Sequence, residues 1–296
     1  SSTAKVDLTA TLDRAYNTFV KNGVPVIIGE FGLLGFDKDL GTIQRGELLK
    51  FFEYLTYHAQ ERELPLMLWD NGQHFQRRLG RWIDQTFYEV IMTEKGVRSS
   101  YTDTDSVFLK KGAEIKDRHL LLELNGNELL SITLDGRELE KGVDWDIAFG
   151  RLALKAQFLE RFNLDEYGVV GTLKCQFSAG VPWEIYIISH DTPVLEAVES
   201  ARNRFRIPVQ FKGDLLATME AVYEKGGNAG PADWTSYKEF GSSFKPLYEQ
   251  NSIELPAAFF KDIKDGVPVK LKFHFWSGER VEYTVTKNKM QVIGTP

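Results

Sequence analysis

The sequence is poor in cysteine, carries little excess charge, and lacks any hydrophobic run long enough to cross a membrane. Cys175 is the only cysteine in 296 residues, which excludes an internal disulfide and a cysteine-ligated metal cluster. No apolar run approaches the roughly 20 residues of a membrane span, and the N-terminus S-S-T-A-K-V-D is not a signal peptide. A net charge of -6, spread along the chain, argues against partners such as nucleic acid or an anionic membrane.

Metal and cofactor motifs are missing as well. The five histidines show no metal-ligand spacing, so the sequence predicts neither a metal site nor a cofactor. His74 is expected to be a structural histidine. The glycine-rich residues 226–230 follow no strand-to-helix context, which argues against phosphate binding. A hydrophobic share of 43% with 26% charged residues is typical of a soluble globular protein of two or three domains.

Residues 1–98 alternate between helical and strand patterns. Apolar residues at helical spacing precede Asn22-Gly23, and the buried strand predicted next is the run V-P-V-I-I-G. A second helix carries Leu48, Leu49, Phe52, Leu55 and Ala59 on one face. The strand 64–69 follows, and then a third helix with apolar positions from Leu79 to Ile91. This order is that of βα units with parallel strands buried on both faces.

Both predicted strands end in residues that suit sugar chemistry. Glu30 lies at the tip of the first strand between Gly29 and Gly32, where a barrel enzyme places a catalytic carboxylate. Trp69, at the tip of the second, offers a flat face for a pyranose ring, and Asp70 and Asn71 could bind its hydroxyls. A loop or helix-capping glutamate and a core tryptophan at a strand end fit the same spacing.

After Arg98 the pattern changes to short alternating strands separated by Asn-Gly, Asp-Gly and Lys-Gly turns, which predicts β-sandwiches. This half also repeats itself at about one sandwich length. L-N-G-N-E-L-L at 124 is similar to F-K-G-D-L-L at 211, L-A-L-K-A-Q-F-L at 152 to I-E-L-P-A-A-F-F at 253, and K-C-Q-F-S-A-G at 174 to K-F-H-F-W-S-G at 272. Two related modules are therefore expected, with a boundary near Pro193.

The pairing of I-I-G-E-F-G with L-W-D-N-G, one helix apart, resembles the end of a glycoside hydrolase family 5 barrel. The resemblance covers residues 1–98 and implies the last two βα units of a (β/α)8 TIM barrel. It implies that Glu30 is the retaining nucleophile and that Trp69 lines the sugar site nearest the scissile bond. The family's acid/base glutamate follows an asparagine on the fourth strand, and the earlier strands of the barrel are not in this chain.

The two later segments resemble modules that follow family 5 barrels. The middle segment, with G-R-E-L-E-K-G-V-D-W, is similar to an immunoglobulin-like spacer, and the last, with G-P-A-D-W-T-S-Y-K-E-F, to carbohydrate-binding module family 46. The predicted fold is therefore multidomain, an incomplete TIM-barrel portion followed by two β-sandwich immunoglobulin-like modules. The predicted boundaries are residues 1–98, 99–197 and 198–296.

Three aromatic residues of the last module compete for sugar contact. Trp234 lies in a Gly/Pro/Asp-rich loop, where exposed aromatic residues usually bind ligands. Against this, Asp144-Trp145 holds a comparable place in the middle module, which would make Trp234 a structural strand start. Strand alternation turns His274 and Trp276 outward. The resemblance favours Trp234, with Trp276 and Tyr237 as second choices, whereas Trp145 and Trp183 are expected to be buried.

The resulting hypothesis is a portion of a secreted, extracellular endo-β-1,4-glucanase that hydrolyses plant cell-wall glucans. The expected partners are β-glucans (cellulose, xyloglucan or mixed-linkage glucan) and the missing N-terminal part of the barrel. The retaining mechanism needs two carboxylates, so the chain alone is expected to be inactive unless complemented. The alternatives are a non-catalytic carbohydrate-binding or adhesion protein and a self-contained three-layer domain without sugar chemistry.

Overall fold

The computed structural model describes residues 2–32, 41–70 and 72–296, and the chain divides into two compact units. The first comprises Ser1–Val107, Ile115–Phe162 and Gly171–Ile187, and the second Phe108–Glu114, Asn163–Val170 and Ile188–Pro296. Among the described residues, no helix has the length and apolar character needed to cross a membrane.

The N-terminal segment is built from βα units. Its elements are the helices α1 (Ser2–Thr18), α2 (Gly41–Gln60) and α3 (Gln85–Ile91) and the strands β1 (Ile28–Phe31), β2 (Leu66–Leu68), β3 (Phe75–Gln76) and β4 (Arg81–Trp82). Strands β1 and β2 pair in parallel, with α2 between them in the chain. This is the predicted βαβ order, since parallel strands need a crossover connection.

The predicted helix faces form the core of this segment. Leu49, Phe52, Leu55 and Ala59 of α2 are all buried, as their spacing predicts. The helical stretch after α1 ends at Gly23, whose φ of 80° is left-handed and whose N–H donates to the carbonyl of Val20. Glycine is the usual residue at this position because it has no Cβ to clash.

Two predictions about this segment are wrong in detail. The first strand begins at Ile28 rather than Val24, and neither it nor β2 is buried on both faces. Within the described residues β1 and β2 form a two-stranded sheet, so no further strand covers their outer edges. The third helix begins only at Gln85, because a β3–β4 hairpin turns at Gly80 (φ 59°) and Asp84 caps the helix by accepting from the N–H groups of Thr86 and Phe87.

Arg45 ties this segment to the middle module within the first unit. Its guanidinium donates to Asp84, the cap of α3, at 2.6 Å and to Glu184 at 2.7 Å. Burial opposes the charged form, but these carboxylates raise the pKa of Arg45 well above its usual range. The arginine therefore stays ionised and bridges both parts.

The middle module is a pair of sheets. Its elements are β5 (Tyr101–Thr102), β6 (Ser106–Lys110), β7 (Arg118–Glu123), β8 (Leu129–Leu134), β9 (Arg137–Glu138), β10 (Trp145–Ala148), β11 (Arg151–Leu154), α4 (Ala156–Leu159), β12 (Gly168–Phe177) and β13 (Trp183–His190). The strand orders are β10-β11-β7-β5 and β6-β13-β12-β8-β9. Trp145 and Trp183 are buried, as predicted.

The last module has the same four-plus-five arrangement. Its elements are β14 (Val194–Leu195), β15 (Val198–Ala201), β16 (Phe205–Gln210), β17 (Leu216–Tyr223), β18 (Lys245–Leu247), β19 (Ser252–Leu255), α5 (Ala257–Lys261), β20 (Val269–Phe275), β21 (Arg280–Asn288) and β22 (Gln291–Thr295). The orders are β14-β16-β19-β18 and β15-β22-β21-β20-β17. One core cluster of buried residues, including Phe205, Ile253 and Phe273, lies between the sheets.

The predicted internal repeat is confirmed by matching local geometry. Asn125-Gly126 and Lys212-Gly213 both turn with positive φ at both residues. The strands β11 and β19 each lead into a short helix with two buried apolar side chains. The strand register agrees as well. Lys174 on β12 lies opposite Thr133 on β8, and its counterpart in the repeat, Lys272 on β20, lies opposite Glu220 on β17. The two modules therefore share these turns, strands and short helices at corresponding positions.

Candidate functional site

The first candidate site lies where β1 and β2 end. Glu30 is the penultimate residue of β1, and Trp69 directly follows β2. Phe31 lies opposite Leu68, and the N–H of Trp69 donates to the carbonyl of Phe31 at 2.8 Å. Because the strands are parallel, the two predicted residues meet at the same edge of the sheet. Glu30 is exposed and Trp69 is 51% exposed, so both are accessible.

Packing against α2 sets the direction of Glu30. The Phe31 ring lies edge-on to the buried Phe52 ring of α2, with centroids 5.7 Å apart. Since neighbouring residues of a strand point to opposite faces, Glu30 is turned away from that helix. At Gly32 a Cβ would lie 3.2 Å from the carbonyl oxygen of Trp69, so the close approach of the two strand ends favours glycine.

Asp70 shapes the loop after Trp69. Its Oδ1 accepts hydrogen bonds from the N–H groups of Gly72 and His74, each at 3.0 Å, and its carbonyl accepts from Arg77 at 2.8 Å. Burial acts to raise the pKa of Asp70, but the backbone hydrogen bonds outweigh it and hold that pKa below its usual value. Asp70 is therefore ionised, and its Oδ1 is engaged in hydrogen bonds to the backbone of the loop. Its role in binding sugar hydroxyls stays a prediction. Asn71 lies outside the described residues.

His74 has a structural role, as predicted. Its ring is buried and stacks on Phe87, with centroids 4.4 Å apart and planes 19° apart. An open groove of about 600 Å³ adjoins this loop. The residues that line it are Gly72, Phe75, Gln76, Arg77, Arg78 and Leu79.

The second candidate site is the connection that carries Trp234. In the middle module Glu138 pairs with Thr133, and residues 134–137 close that hairpin. The corresponding bridge in the last module joins Tyr237 to Glu220, and residues 221–236 lie between them. The last module thus has a long inserted loop, and Trp234 at 82% exposure stands on it. Trp145 instead begins a strand and is buried, so the interpretation of Trp234 as a strand start is wrong.

A buried lysine holds this inserted loop. Lys238 is only 5% exposed, and its ammonium donates to the carbonyls of Pro231 at 2.9 Å, Ala232 at 3.3 Å and Thr235 at 2.9 Å. Burial lowers the pKa of Lys238. The three carbonyls flank Trp234 in sequence, so the lysine fixes the part of the loop that presents the indole ring. Sequence reasoning missed this residue.

Replacing Lys238 by leucine tests its role in the loop. The backbone N–H of Lys238 donates to the carbonyl of Met219, and in the middle module the N–H of Leu139 donates in the same way to the carbonyl of Ile132. Leu139 is therefore the counterpart of Lys238, and leucine suits this position in the repeat. We expect Lys238→Leu to fold and to open residues 225–236 to proteolysis, because three hydrogen bonds to the loop are lost. Limited proteolysis with mass spectrometry measures this. The control Lys272→Leu, at a half-exposed position on β20, should leave the loop resistant, and equal resistance in both variants would contradict the account.

The face beside the loop carries the other predicted aromatic residues. Phe273 and Phe275 of β20 are buried and His274 between them is partly exposed, as the predicted alternation requires, and Trp276, which directly follows the strand, is 47% exposed. Tyr237 is 52% exposed. Asp214 accepts hydrogen bonds from the backbone N–H and the hydroxyl of Ser277, which fixes the turn that follows Trp276. Burial raises the pKa of Asp214 to about 6.

Comparison with known families explains the three segments. Residues 1–75 match the sequence model of cellulase (glycosyl hydrolase family 5), residues 101–187 that of carbohydrate binding domain X2, and residues 191–295 that of the carbohydrate binding domain CBM46. Endoglucanase B of Paenibacillus lautus is 44% identical over 98% of this chain and 51% of its own length.

Solved structures show the same arrangement. The tri-modular endo-β-1,4-glucanase B of Bacillus halodurans matches 100% of this chain and 55% of its own, with 44% identity and a TM-score of 0.93. This chain is homologous to the C-terminal part of trimodular family 5 endoglucanases. A tri-modular enzyme of Bacillus licheniformis, solved with cellotetraose, is 26% identical over 95% of this chain and 56% of its own, with a TM-score of 0.80.

The match to these trimodular structures confirms the predicted fold class, a partial barrel followed by two β-sandwich modules. The chain spans about half the length of the relatives it matches, and its cellulase match covers only the C-terminal end of the barrel. The matches to carbohydrate-active modules oppose the alternative of a domain without sugar chemistry. The predicted module boundaries, the spacer role and the roles of the site residues stay predictions.

Proposed function

We propose that this chain is a portion of a secreted, retaining endo-β-1,4-glucanase in which Glu30 is the nucleophile. The observation that carries the proposal is the parallel β1–β2 pair, which presents Glu30 and Trp69 at one edge of the sheet. Catalytic residues of such barrels lie at the C-terminal ends of the strands. The relatives that match nearly the whole chain are endoglucanases, which supports a β-1,4-glucan as substrate.

In this proposal Glu30 attacks the anomeric carbon and forms a covalent glycosyl-enzyme, which water then hydrolyses. Trp69 stacks on the sugar ring next to the scissile bond, and Asp70 and Asn71 bind hydroxyls. A second carboxyl group about 5–5.5 Å from the nucleophile must donate the proton to the leaving group. That group comes from the remainder of the barrel, so residues 1–296 alone would not turn over substrate.

In this proposal the last module assists hydrolysis by binding the glucan. Trp234 supports this role through its exposure and through the inserted loop that Lys238 holds. Cellulose, xyloglucan and mixed-linkage glucan all present the flat pyranose faces that such a ring stacks on. The middle module acts as a spacer, since both of its tryptophans are buried. A non-catalytic adhesion protein is the competing function, favoured by the two carbohydrate-binding matches and by the lone Glu30.

Removing the Trp234 ring tests glucan binding by the chain. We expect Trp234→Ala to weaken retention of residues 1–296 on xyloglucan by about tenfold, because a stacked aromatic ring contributes on the order of 1 kcal/mol or more. Affinity electrophoresis in xyloglucan gels measures the change. The control is Phe149→Ala, which removes a fully exposed ring from the β10–β11 turn of the middle module. Unchanged retention in Trp234→Ala would remove this residue from the binding site.

A further inference from the structure

The outer face of the five-stranded sheet in the last module carries a strip of three rings. His274 lies on β20, and Trp276 directly follows this strand, two residues further along the chain. The Tyr237 ring lies beside the His274 ring, with ring centroids 6.0 Å apart and planes tilted by 36°. Tyr237 and Trp276 are about half exposed, whereas the His274 side chain is 16% exposed, so the rings of Tyr237 and Trp276 supply most of the accessible surface.

A carboxylate fixes the central ring of this strip. His274 Nε2 lies 2.7 Å from Glu220 Oε1, and the hydroxyl of Ser236 donates to the other Glu220 oxygen at 2.8 Å. Burial opposes ionisation of Glu220, but the hydrogen bonds from Ser236 and His274 hold its pKa below the usual value. An ionised carboxylate only accepts, so in neutral His274 the proton lies on Nε2 and Nδ1 carries the lone pair.

The middle module provides an internal comparison. Its register places Thr133, Gln176 and Ser178 at the positions of Glu220, His274 and Trp276. The sandwich fold therefore forms without the carboxylate, the imidazole or the indole. These three side chains are specific to the last module, and packing of the fold does not account for them.

We propose that Tyr237, His274 and Trp276 form a second glucan-binding strip, distinct from the loop that carries Trp234. The rings of Tyr237 and Trp276 stack on pyranose faces, and Nδ1 of His274 accepts a hydrogen bond from a sugar hydroxyl between them. Glu220 is a positioning residue, since it selects the tautomer and orientation of His274 without touching the sugar. The inference rests on the proposed function, because it takes a β-1,4-glucan as the ligand.

The experiment replaces these residues by those of the middle module, in the full chain 1–296. Isothermal titration with cellohexaose and affinity electrophoresis in xyloglucan measure binding. We expect Trp276→Ser to weaken binding about tenfold. His274→Gln should weaken it about two- to tenfold, the range of one hydrogen bond. Thr286→Ala, on β21 of the same sheet and away from the strip, is the control that should not change affinity.

The role of Glu220 in positioning His274 is tested by a measurement that a loss of structural support alone would not change. In Glu220→Thr we expect the ¹⁵N shifts of the His274 ring to report loss of the single Nε2–H tautomer, together with the affinity loss of His274→Gln. The double variant should bind no worse than His274→Gln alone, because both changes act on one hydrogen bond. Glu220→Gln retains an acceptor and should recover most of the affinity.

The outcomes separate this inference from the proposed function. Wild-type affinity in Trp276→Ser and His274→Gln, combined with loss in Trp234→Ala, would overturn the strip and leave the proposed function standing. A wild-type chain that neither xyloglucan nor cellohexaose retains would overturn binding by the module itself. Unaltered ring shifts in Glu220→Thr would remove Glu220 as the positioning residue.

Discussion

Glu30→Gln is expected to lower turnover of a soluble β-1,4-glucan by on the order of 10⁴-fold or more. The amide cannot form the glycosyl ester through which a retaining enzyme works. The measurement requires a completed barrel, which a fusion of this chain behind the N-terminal barrel segment of the Bacillus halodurans relative would provide. Retention on xyloglucan should stay at the wild-type level, because the exposed aromatic residues of the last module are unchanged.

The control for this variant is Glu61→Gln, another exposed glutamate, which follows α2. It should retain the activity of the unmutated fusion. Full activity in Glu30→Gln would remove Glu30 as the nucleophile and favour the non-catalytic alternative for this segment. Turnover above background by residues 1–296 alone would contradict the argument that the proton donor lies elsewhere.

Arg98→Ala is expected to lower the free energy of unfolding of the first unit by about 3–5 kcal/mol. Arg98 donates two parallel hydrogen bonds to Glu53, both at 2.8 Å, and its guanidinium lies 4.4 Å from the centre of the Tyr57 ring. Glu53 is buried on α2, so removal of the arginine leaves a buried carboxylate without this partner. Chemical denaturation monitored by circular dichroism measures the loss.

A double-mutant cycle separates the pair from its surroundings. Arg98→Met with Glu53→Leu should restore much of the stability lost in either single variant, because no buried charge is left unpaired. The control is Lys155→Ala, which breaks a pair with Asp117 at 3.3 Å that is about one-third exposed. Lys155→Ala should lower the free energy of unfolding by less than about 1 kcal/mol. A similarly small loss of stability in Arg98→Ala would show that the Arg98–Glu53 pair does not hold α2 to residue 98.

Local signals in the sequence predicted the fold well. Helical spacing identified the buried face of α2, and Asn22-Gly23 marked the end of the helical stretch before β1. The repeat between the two sandwich modules was visible because turn residues and alternating strands recur at fixed positions. Glu30 and Trp69 could be placed at one sheet edge, since consecutive parallel strands end on the same side.

Features that depend on partners distant in sequence could not be predicted in the same way. A strand is buried on both faces only if other elements cover it, and the composition of β1 does not reveal which elements are present. His274 and Glu220, which are in contact, are 54 residues apart in sequence. Lys238 occupies the counterpart of Leu139, so extending the repeat alignment would have shown a lysine at a core position.

Trapping the covalent intermediate tests the central claim most directly. A 2-deoxy-2-fluoro cellobioside with a good leaving group would be incubated with the active fusion, and the labelled peptide would be identified by mass spectrometry. The account predicts one fluorocellobiosyl group per molecule, esterified to Glu30, with loss of activity that parallels labelling. Inactivation with the label on any other carboxylate would contradict the assignment of Glu30 as nucleophile.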